Sequence, residues 1–152
     1  MNLKEILDDQ VIGVNLKAEN KDQAITLLSQ KLKKAGYIKN IDVFKKDIYY
    51  RESQGSTGIG NYVAIPHGQS ESVNNIGIAI GKFSNEISWE TLDSKGVKIV
   101  FLFAVDNDPK SSETHLDLLS KIAGKLGNDE TIEMLLKSDT VNEIKNVFLE
   151  EA

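Results

Sequence analysis

The stretch VKIVFLFAV, residues Val97–Val105, is the strongest β-strand signal in the chain. All of its residues except Lys98 are apolar, without the alternation expected of a strand that has one face in water. Such a run is typical of a central strand covered on both faces. Gly96 is a turn residue just before it. We therefore expect a sheet buried between two layers.

The flanking sequence predicts further strands and helices around this central strand. Runs of β-branched and aromatic residues indicate strands at 11–16, 62–65 and 76–83. Capping residues and apolar periodicity indicate five helices. These helices end near Ala35, Arg51, Leu126, Leu136 and Glu150. Because strands and helices are interspersed, the fold class predicted is α/β, a three-layer α/β/α sandwich. Its central sheet is expected to be mixed, because some strand connections are too short for a crossover helix.

Length and composition limit the classes of protein. The 152 residues fit one domain, 1–152. Cysteine is absent, which excludes disulfides, thiolate catalysis and cysteine-based zinc sites. A net charge of −5, from 18 basic and 23 acidic residues, argues against nucleic-acid binding. The N-terminus lacks the apolar core of a signal peptide, and the run Ile99–Val105 is too short to cross a bilayer. We expect a cytoplasmic protein without direct membrane insertion.

Two histidines are the candidate reactive groups. His67 lies between Pro66, which fixes its own backbone angle, and Gly68, which permits a turn. The sequence therefore predicts an imidazole at the end of a strand, on a stiff backbone and accessible to a partner. The alternative is an ordinary histidine in a surface turn.

The second histidine, His115, lies near the predicted start of a helix. With Leu119, Ile122 and Leu126 it follows the spacing of the core-facing stripe. One interpretation is a half-buried histidine that fills space. The other uses the helix dipole, which disfavours a charged imidazole in the first turn and leaves it neutral near neutral pH. A neutral ring can donate one hydrogen bond to a second histidine or to a phosphoryl oxygen.

An arginine and a loop of small residues precede His67. Arg51 offers a planar fork of donors that suits phosphate oxygens, although most arginines are only solvated surface groups. In the loop, Ser56, Thr57 and Gly58 could present hydroxyl and backbone N–H groups to an anion. The spacing matches neither a nucleotide-binding P-loop nor a dinucleotide fingerprint. A zinc site, a serine-hydrolase elbow and a glycosidase carboxylate pair lack their spacings as well.

Taken together, these motifs resemble a known family. Arg51-Glu52, then 56–60 (STGIG) and 63–68 (VAIPHG), resemble the signature of the fructose/mannitol-type enzyme IIA of the bacterial sugar phosphotransferase system. The segment 115–123 (HLDLLSKIA) resembles the family's second histidine segment. The match extends over essentially the whole chain.

The resemblance implies a phosphocarrier of the same fold. His67 would accept a phosphoryl group from the phosphocarrier protein HPr and pass it to a cysteine of an enzyme IIB partner. That partner works with the membrane enzyme IIC in sugar uptake and phosphorylation. His115 would be the supporting histidine and Arg51 the arginine near the site. Neither a cofactor nor a metal is implied, because the donor is already a phosphohistidine.

Two departures and two alternatives stay open at this point. Tyr62 stands where the family commonly has glycine, and Gln69 where it commonly has lysine. A regulatory, nitrogen-type relative of enzyme IIA would use the same histidine to control binding to other proteins. A pure interaction module would have its two histidines far apart.

Overall fold

The secondary structure of the computed structural model, which describes residues 3–149, agrees with most of the predicted elements. The strands are β1 (Ile12–Leu16), β2 (Gly58–Gly60), β3 (Val63–Ala64), β4 (His67–Gln69), β5 (Gly77–Ile87) and β6 (Val97–Val105). The α-helices are α1 (Leu3–Ile6), α2 (Lys21–Lys34), α3 (Ile41–Ser53), α4 (Ser112–Leu126), α5 (Asp129–Lys137) and α6 (Val141–Leu149). Short 3₁₀ helices cover Asp9–Val11 and Pro109–Ser111. The predicted helix end at Glu150 lies outside the described residues.

The strand β6 is the centre of a mixed six-stranded sheet. The order is β1-β5-β6-β3-β2, and β4 also pairs with β6. The pairing of β5 with β6 is antiparallel, whereas β3 and β4 run parallel to β6. The mixed sheet predicted from short connections is therefore confirmed.

Side chains of β6 alternate between two cores, one on each face of the sheet. Val100, Leu102 and Ala104 pack with residues of α2 and α3. Ile99, Phe101 and their neighbours on the other face pack against α4, α5 and α6. Every residue from Val97 to Val105 is buried except Lys98. The near-continuous apolar run is thus explained by a helical layer on each face, and the α/β/α sandwich is confirmed.

Caps at the helix ends follow the sequence pattern. Asn20 and Asn40 accept hydrogen bonds from the backbone N–H groups of Gln23 and Val43, which satisfies donors at the starts of α2 and α3. Gly36, just past α2, has a φ of +87°, the left-handed conformation expected of a residue after a helix. Asn40 fixes where α3 begins, and this helix has Arg51 in its last turn.

Two short strands were not predicted. The segment assigned to a small-residue loop contains β2, and His67 begins β4 instead of ending a strand. Gly68 is therefore not a turn residue. A Cβ atom there would lie 2.3 Å from Cε1 of Phe44, so this glycine lets α3 pack closely against β4.

Among residues 3–149, none of the helices combines the length and the apolar character required to cross a membrane.

Candidate active site

A cleft of about 380 Å³ opens where the carboxyl ends of β4 and β6 meet the helices α3 and α4. His67, His115 and Arg51 all line it. The structure therefore brings together, from three separate elements, three residues that the sequence singled out. Other lining residues are Asp47, Tyr50, Gln69, Val105 and Asn107.

Strand pairing and ring stacking hold His67 in place. Its register partner on β6 is Phe103, and the two rings stack with centroids 4.7 Å apart and planes 15° from parallel. Just before it, the Pro66 carbonyl accepts a hydrogen bond from the Phe103 backbone N–H at 2.9 Å. The neighbouring strand hydrogen bonds and the stacked ring leave the imidazole little freedom to turn. They therefore fix the direction in which Nε2, the ring nitrogen farther from the backbone, points.

The two histidine rings meet edge to face. Their centroids are 5.2 Å apart, with 70° between the ring planes. His115 reaches this position from the first turn of α4. The Nδ1 atom of His67 and the Nε2 atom of His115 are both buried, without a hydrogen bond of normal geometry among the described residues. Burial of Nδ1 leaves Nε2 as the nitrogen of His67 that is available to the cleft.

Both imidazoles are held neutral. Burial, with smaller effects of His115 and Arg51 in the same direction, lowers the pKa of His67 to about 4, while the Ile65 backbone acts in the opposite direction. Burial also lowers the pKa of His115. A neutral imidazole keeps a lone pair on one nitrogen, which is what a nucleophile needs near neutral pH.

Arg51 contributes the positive charge of the cleft. It is exposed at the last turn of α3, and its Nη1 donates a hydrogen bond of 3.4 Å to the carbonyl of Gly55. The guanidinium and the His67 imidazole line the same cleft, and the positive charge of Arg51 contributes to lowering the pKa of His67. An anion bound beside His67 would meet the remaining N–H donors of this side chain.

The loop residues predicted to bind phosphate, Ser56, Thr57 and Gly58, are not among the residues that line the cleft. Ser56 donates its hydroxyl to the Glu90 carbonyl, and Thr57 donates to Glu52 Oε2 at 2.7 Å. At Gly58 a Cβ atom would lie 2.3 Å from the Glu90 carbonyl oxygen, so glycine is required for packing. The two hydroxyl groups thus donate to protein acceptors, and Gly58 is needed for close packing. A phosphate contact from these residues stays a prediction.

Several residues in or next to the cleft were missed at the level of sequence. Asp47 is four residues before Arg51 on α3, so helical spacing places both on one face, and this signal could have found it. Phe103 could not be found in this way, because its stacking on His67 depends on the register between two strands. Gln69, noted as a departure from the family, lines the cleft.

Tyr62, the other departure, has a left-handed backbone. Its φ is +67°, a conformation that glycine adopts without strain. This explains why glycine suits the position. The tyrosine ring lies against two lysines, with Lys98 Nζ 4.6 Å and Lys95 Nζ 5.5 Å from its centroid. These cation–π contacts offset part of the backbone strain.

The chain is a three-layer α/β/α protein with two histidines that meet in one cleft. Comparison with known proteins identifies its family. The family model described as phosphoenolpyruvate-dependent sugar phosphotransferase system, EIIA 2, matches residues 5–151. The chain therefore belongs to this family, as the resemblance implied.

Two curated relatives and one solved structure show the range of similar proteins. The chain is 33% identical to the fructose-specific EIIABC component of Bacillus subtilis over 97% of its own length, yet spans only 23% of that relative. It is 34% identical to the mannitol-specific enzyme IIA component of Halalkalibacterium halodurans, covering 91% of each chain. The crystal structure of nitrogen regulatory protein IIA-Ntr from Neisseria meningitidis superposes with a TM-score of 0.84 at 28% identity, covering 95% of this chain and 97% of that one.

Proposed function

We propose that this chain acts as a single enzyme IIA domain in the cytoplasm, accepting a phosphoryl group from phospho-HPr on His67 and passing it to a cysteine of an enzyme IIB partner. The observation that carries the proposal is the neutral imidazole of His67, fixed by Phe103 with its Nε2 available in a cleft that also contains His115 and Arg51. Family membership supports it.

In the first transfer, the Nε2 lone pair of His67 attacks the phosphorus atom carried by the histidine of HPr. A new N–P bond forms as the N–P bond to the donor breaks, and the donor imidazole leaves with the electron pair. Arg51 is the cation placed to stabilise charge on the phosphoryl oxygens. His115 packs against the attacking ring and helps to keep it buried and neutral.

In the second transfer, a cysteine thiolate of enzyme IIB attacks the same phosphorus. An S–P bond forms, the bond to Nε2 breaks, and His67 returns to its neutral form. Rapid transfer in both directions requires a transition state that is stabilised more than the phosphorylated state. Arg51 meets this requirement if its donors bind the phosphoryl oxygens most strongly where charge develops in the transition state.

The partner assignment draws on the curated relatives. The Bacillus subtilis relative is named as an EIIABC component, which joins an A part to B and C parts in one name. The Halalkalibacterium halodurans relative is named as an enzyme IIA component, and this chain matches nearly all of it. Enzyme IIB, with the membrane enzyme IIC, is therefore the acceptor system proposed for this chain.

A labelled transfer assay tests the proposal. Radiolabelled phospho-HPr is mixed with wild-type protein, with His67→Ala and with His115→Ala, and the purified enzyme IIB is then added. Wild type should take up label and release it to the enzyme IIB cysteine, and His67→Ala should take up none. His115→Ala should accept label but pass it on poorly. Equal labelling of His67→Ala and wild type would exclude His67 as the acceptor.

The second candidate function is regulatory, and the structural similarity to the Neisseria meningitidis IIA-Ntr protein favours it. In this case His67 would still accept the phosphoryl group, but its phosphorylation would control binding to other proteins. The same assay separates the two functions. Label that reaches His67 but moves to none of the enzyme IIB proteins of the source cell would support the regulatory function.

A further inference from the structure

A buried carboxylate lies immediately after Arg51, and the proposed transfer chemistry does not use it. The side chain of Glu52 is only 6% exposed. One carboxylate oxygen lies 2.6 Å from Lys21 Nζ, and the other accepts a hydrogen bond of 2.7 Å from the Thr57 hydroxyl. A buried charge is tolerated when it is paired and hydrogen bonded in this way.

The pair joins segments that are distant in sequence. Lys21 opens α2, Glu52 lies in the last turn of α3, and Thr57 lies in the loop that leads to β2. Lys21 Nζ also contacts Glu90 Oε2 at 2.9 Å and lies 4.9 Å from the ring centroid of Trp89. The end of α3 is therefore fixed from several sides at the residue that follows Arg51.

Arg51 itself has little to hold it. The one hydrogen bond that its side chain makes among the described residues is the 3.4 Å contact with the Gly55 carbonyl, and this side chain is exposed. That carbonyl belongs to the loop that Thr57 secures. The direction of the guanidinium therefore depends on where the end of α3 and this loop are placed.

We propose that Glu52 is a positioning residue for phosphoryl transfer, which through Lys21 and Thr57 fixes the end of α3 and the following loop and so holds Arg51 beside His67. The inference rests on the phosphocarrier function proposed above. It assigns to Glu52 and Thr57 a role one step away from the phosphoryl group. Thr57 then acts on the arginine and does not touch the phosphate.

A double-mutant cycle tests this with the rate of phosphoryl transfer from phospho-HPr. Arg51→Ala removes one charged donor and should slow transfer about 100-fold. Glu52→Gln keeps the shape of the side chain but loses its charge, and a misplaced arginine should then slow transfer about tenfold. In the Arg51→Ala background, Glu52→Gln should change the rate less than about twofold, because there is no longer a guanidinium for Glu52 to position.

The chain offers a conservative pair and a matched control. Thr57→Val removes the hydroxyl and should slow transfer as Glu52→Gln does, whereas Thr57→Ser keeps the hydroxyl and should restore the rate. Glu90→Gln removes the other carboxylate that contacts Lys21. The Glu90 side chain is 73% exposed, so this change should leave the rate within about twofold of wild type.

Two results would overturn the inference. One is a slowing by Glu52→Gln or Thr57→Val that is equally large in the Arg51→Ala background. The other is found by ¹⁵N relaxation of the Arg51 Nε–H group. Positioning by Glu52 predicts that this group becomes more mobile in Glu52→Gln but not in Glu90→Gln. Unchanged mobility in Glu52→Gln would contradict the inference. Because relaxation needs no activity, it tests whether Glu52 positions Arg51 even if wild type takes up no label. Absence of label on wild type would refute the proposed function, whereas unchanged Arg51 mobility in Glu52→Gln would refute the positioning.

Discussion

Replacing His67 by glutamine should make the stability of the fold less sensitive to acid. Burial, with smaller effects of His115 and Arg51 in the same direction, lowers the pKa of His67 from its ordinary value of 6.5 to about 4. The unfolded chain therefore binds a proton at a pH where the folded protein does not. The resulting stability is fully present above about pH 6.5 and is lost progressively as the pH falls towards the folded pKa.

The magnitude follows from these two pKa values. Between about pH 7.5 and about pH 5, His67 alone should remove about 2 kcal/mol from the free energy of unfolding. The carboxylates titrate in both proteins, so their contributions cancel when wild type and His67→Gln are compared. The difference in unfolding free energy between the two should therefore shift by about 2 kcal/mol over this interval, in favour of the variant at acid pH.

Urea unfolding at the two pH values measures this shift, with the tyrosine and tryptophan signals as the probe. An imidazole NMR titration of the native wild type provides a second measurement, in which His67 should titrate far below its ordinary value. A pH-independent difference between wild type and His67→Gln, or a native pKa near 6.5, would refute the reasoning that the ring is held neutral by burial.

Three further substitutions test the packing next to the site, within α4 and at the end of α5. Gly68→Ala would place a Cβ atom 2.3 Å from Phe44 and should cost about 1–3 kcal/mol in urea unfolding, whereas Gly124→Ala, with open space around it, should stabilise α4 by about 0.5–1 kcal/mol. Equal effects of the two alanines would contradict the close contact of α3 with β4. Lys82→Met removes the ammonium that donates to the Leu136 and Ser138 carbonyls at the end of α5, and it should cost about 1–3 kcal/mol in thermal or urea unfolding. An unchanged midpoint would show that these carbonyls find water instead.

The parts of the fold that could be predicted from sequence are those whose signal is local. The apolar composition of the run Val97–Val105 predicts a strand covered on both faces, and the observed β6 has the same bounds. Asn20 and Asn40 predict the helix starts, because each cap needs only a hydrogen bond from a residue three positions later. Such signals need no knowledge of the rest of the chain.

The elements that were missed depend on distant partners. The strand β2 is a glycine-rich segment that becomes a strand only by pairing with β3. In the same way, His67–Gln69 is extended because β6 lies beside it, although the sequence around Gly68 suggested a turn. Glycine was interpreted as flexibility at Gly68, whereas its role there is the absence of a side chain beneath Phe44.

The same distinction between local signals and distant partners applies to the residues of the candidate site. His67, His115 and Arg51 were found because their residue types and flanking motifs carry chemical information, and the structure brings them into one cleft. Phe103 and the network around Glu52 were not found, since ring stacking and the buried ion pair arise only when separate elements meet. Ser56 and Thr57 look like anion ligands in sequence, yet their hydroxyls bond to Glu90 and Glu52.

The measurement that tests the central claim most directly is a long-range ¹H–¹⁵N spectrum of the imidazole groups, recorded before and after incubation with phospho-HPr. Since Nδ1 of His67 is buried, phosphorylation should appear at Nε2 of His67, and both nitrogens of His115 should stay unmodified. A phosphoryl group on His115, on Nδ1 of His67, or on neither histidine would contradict the account.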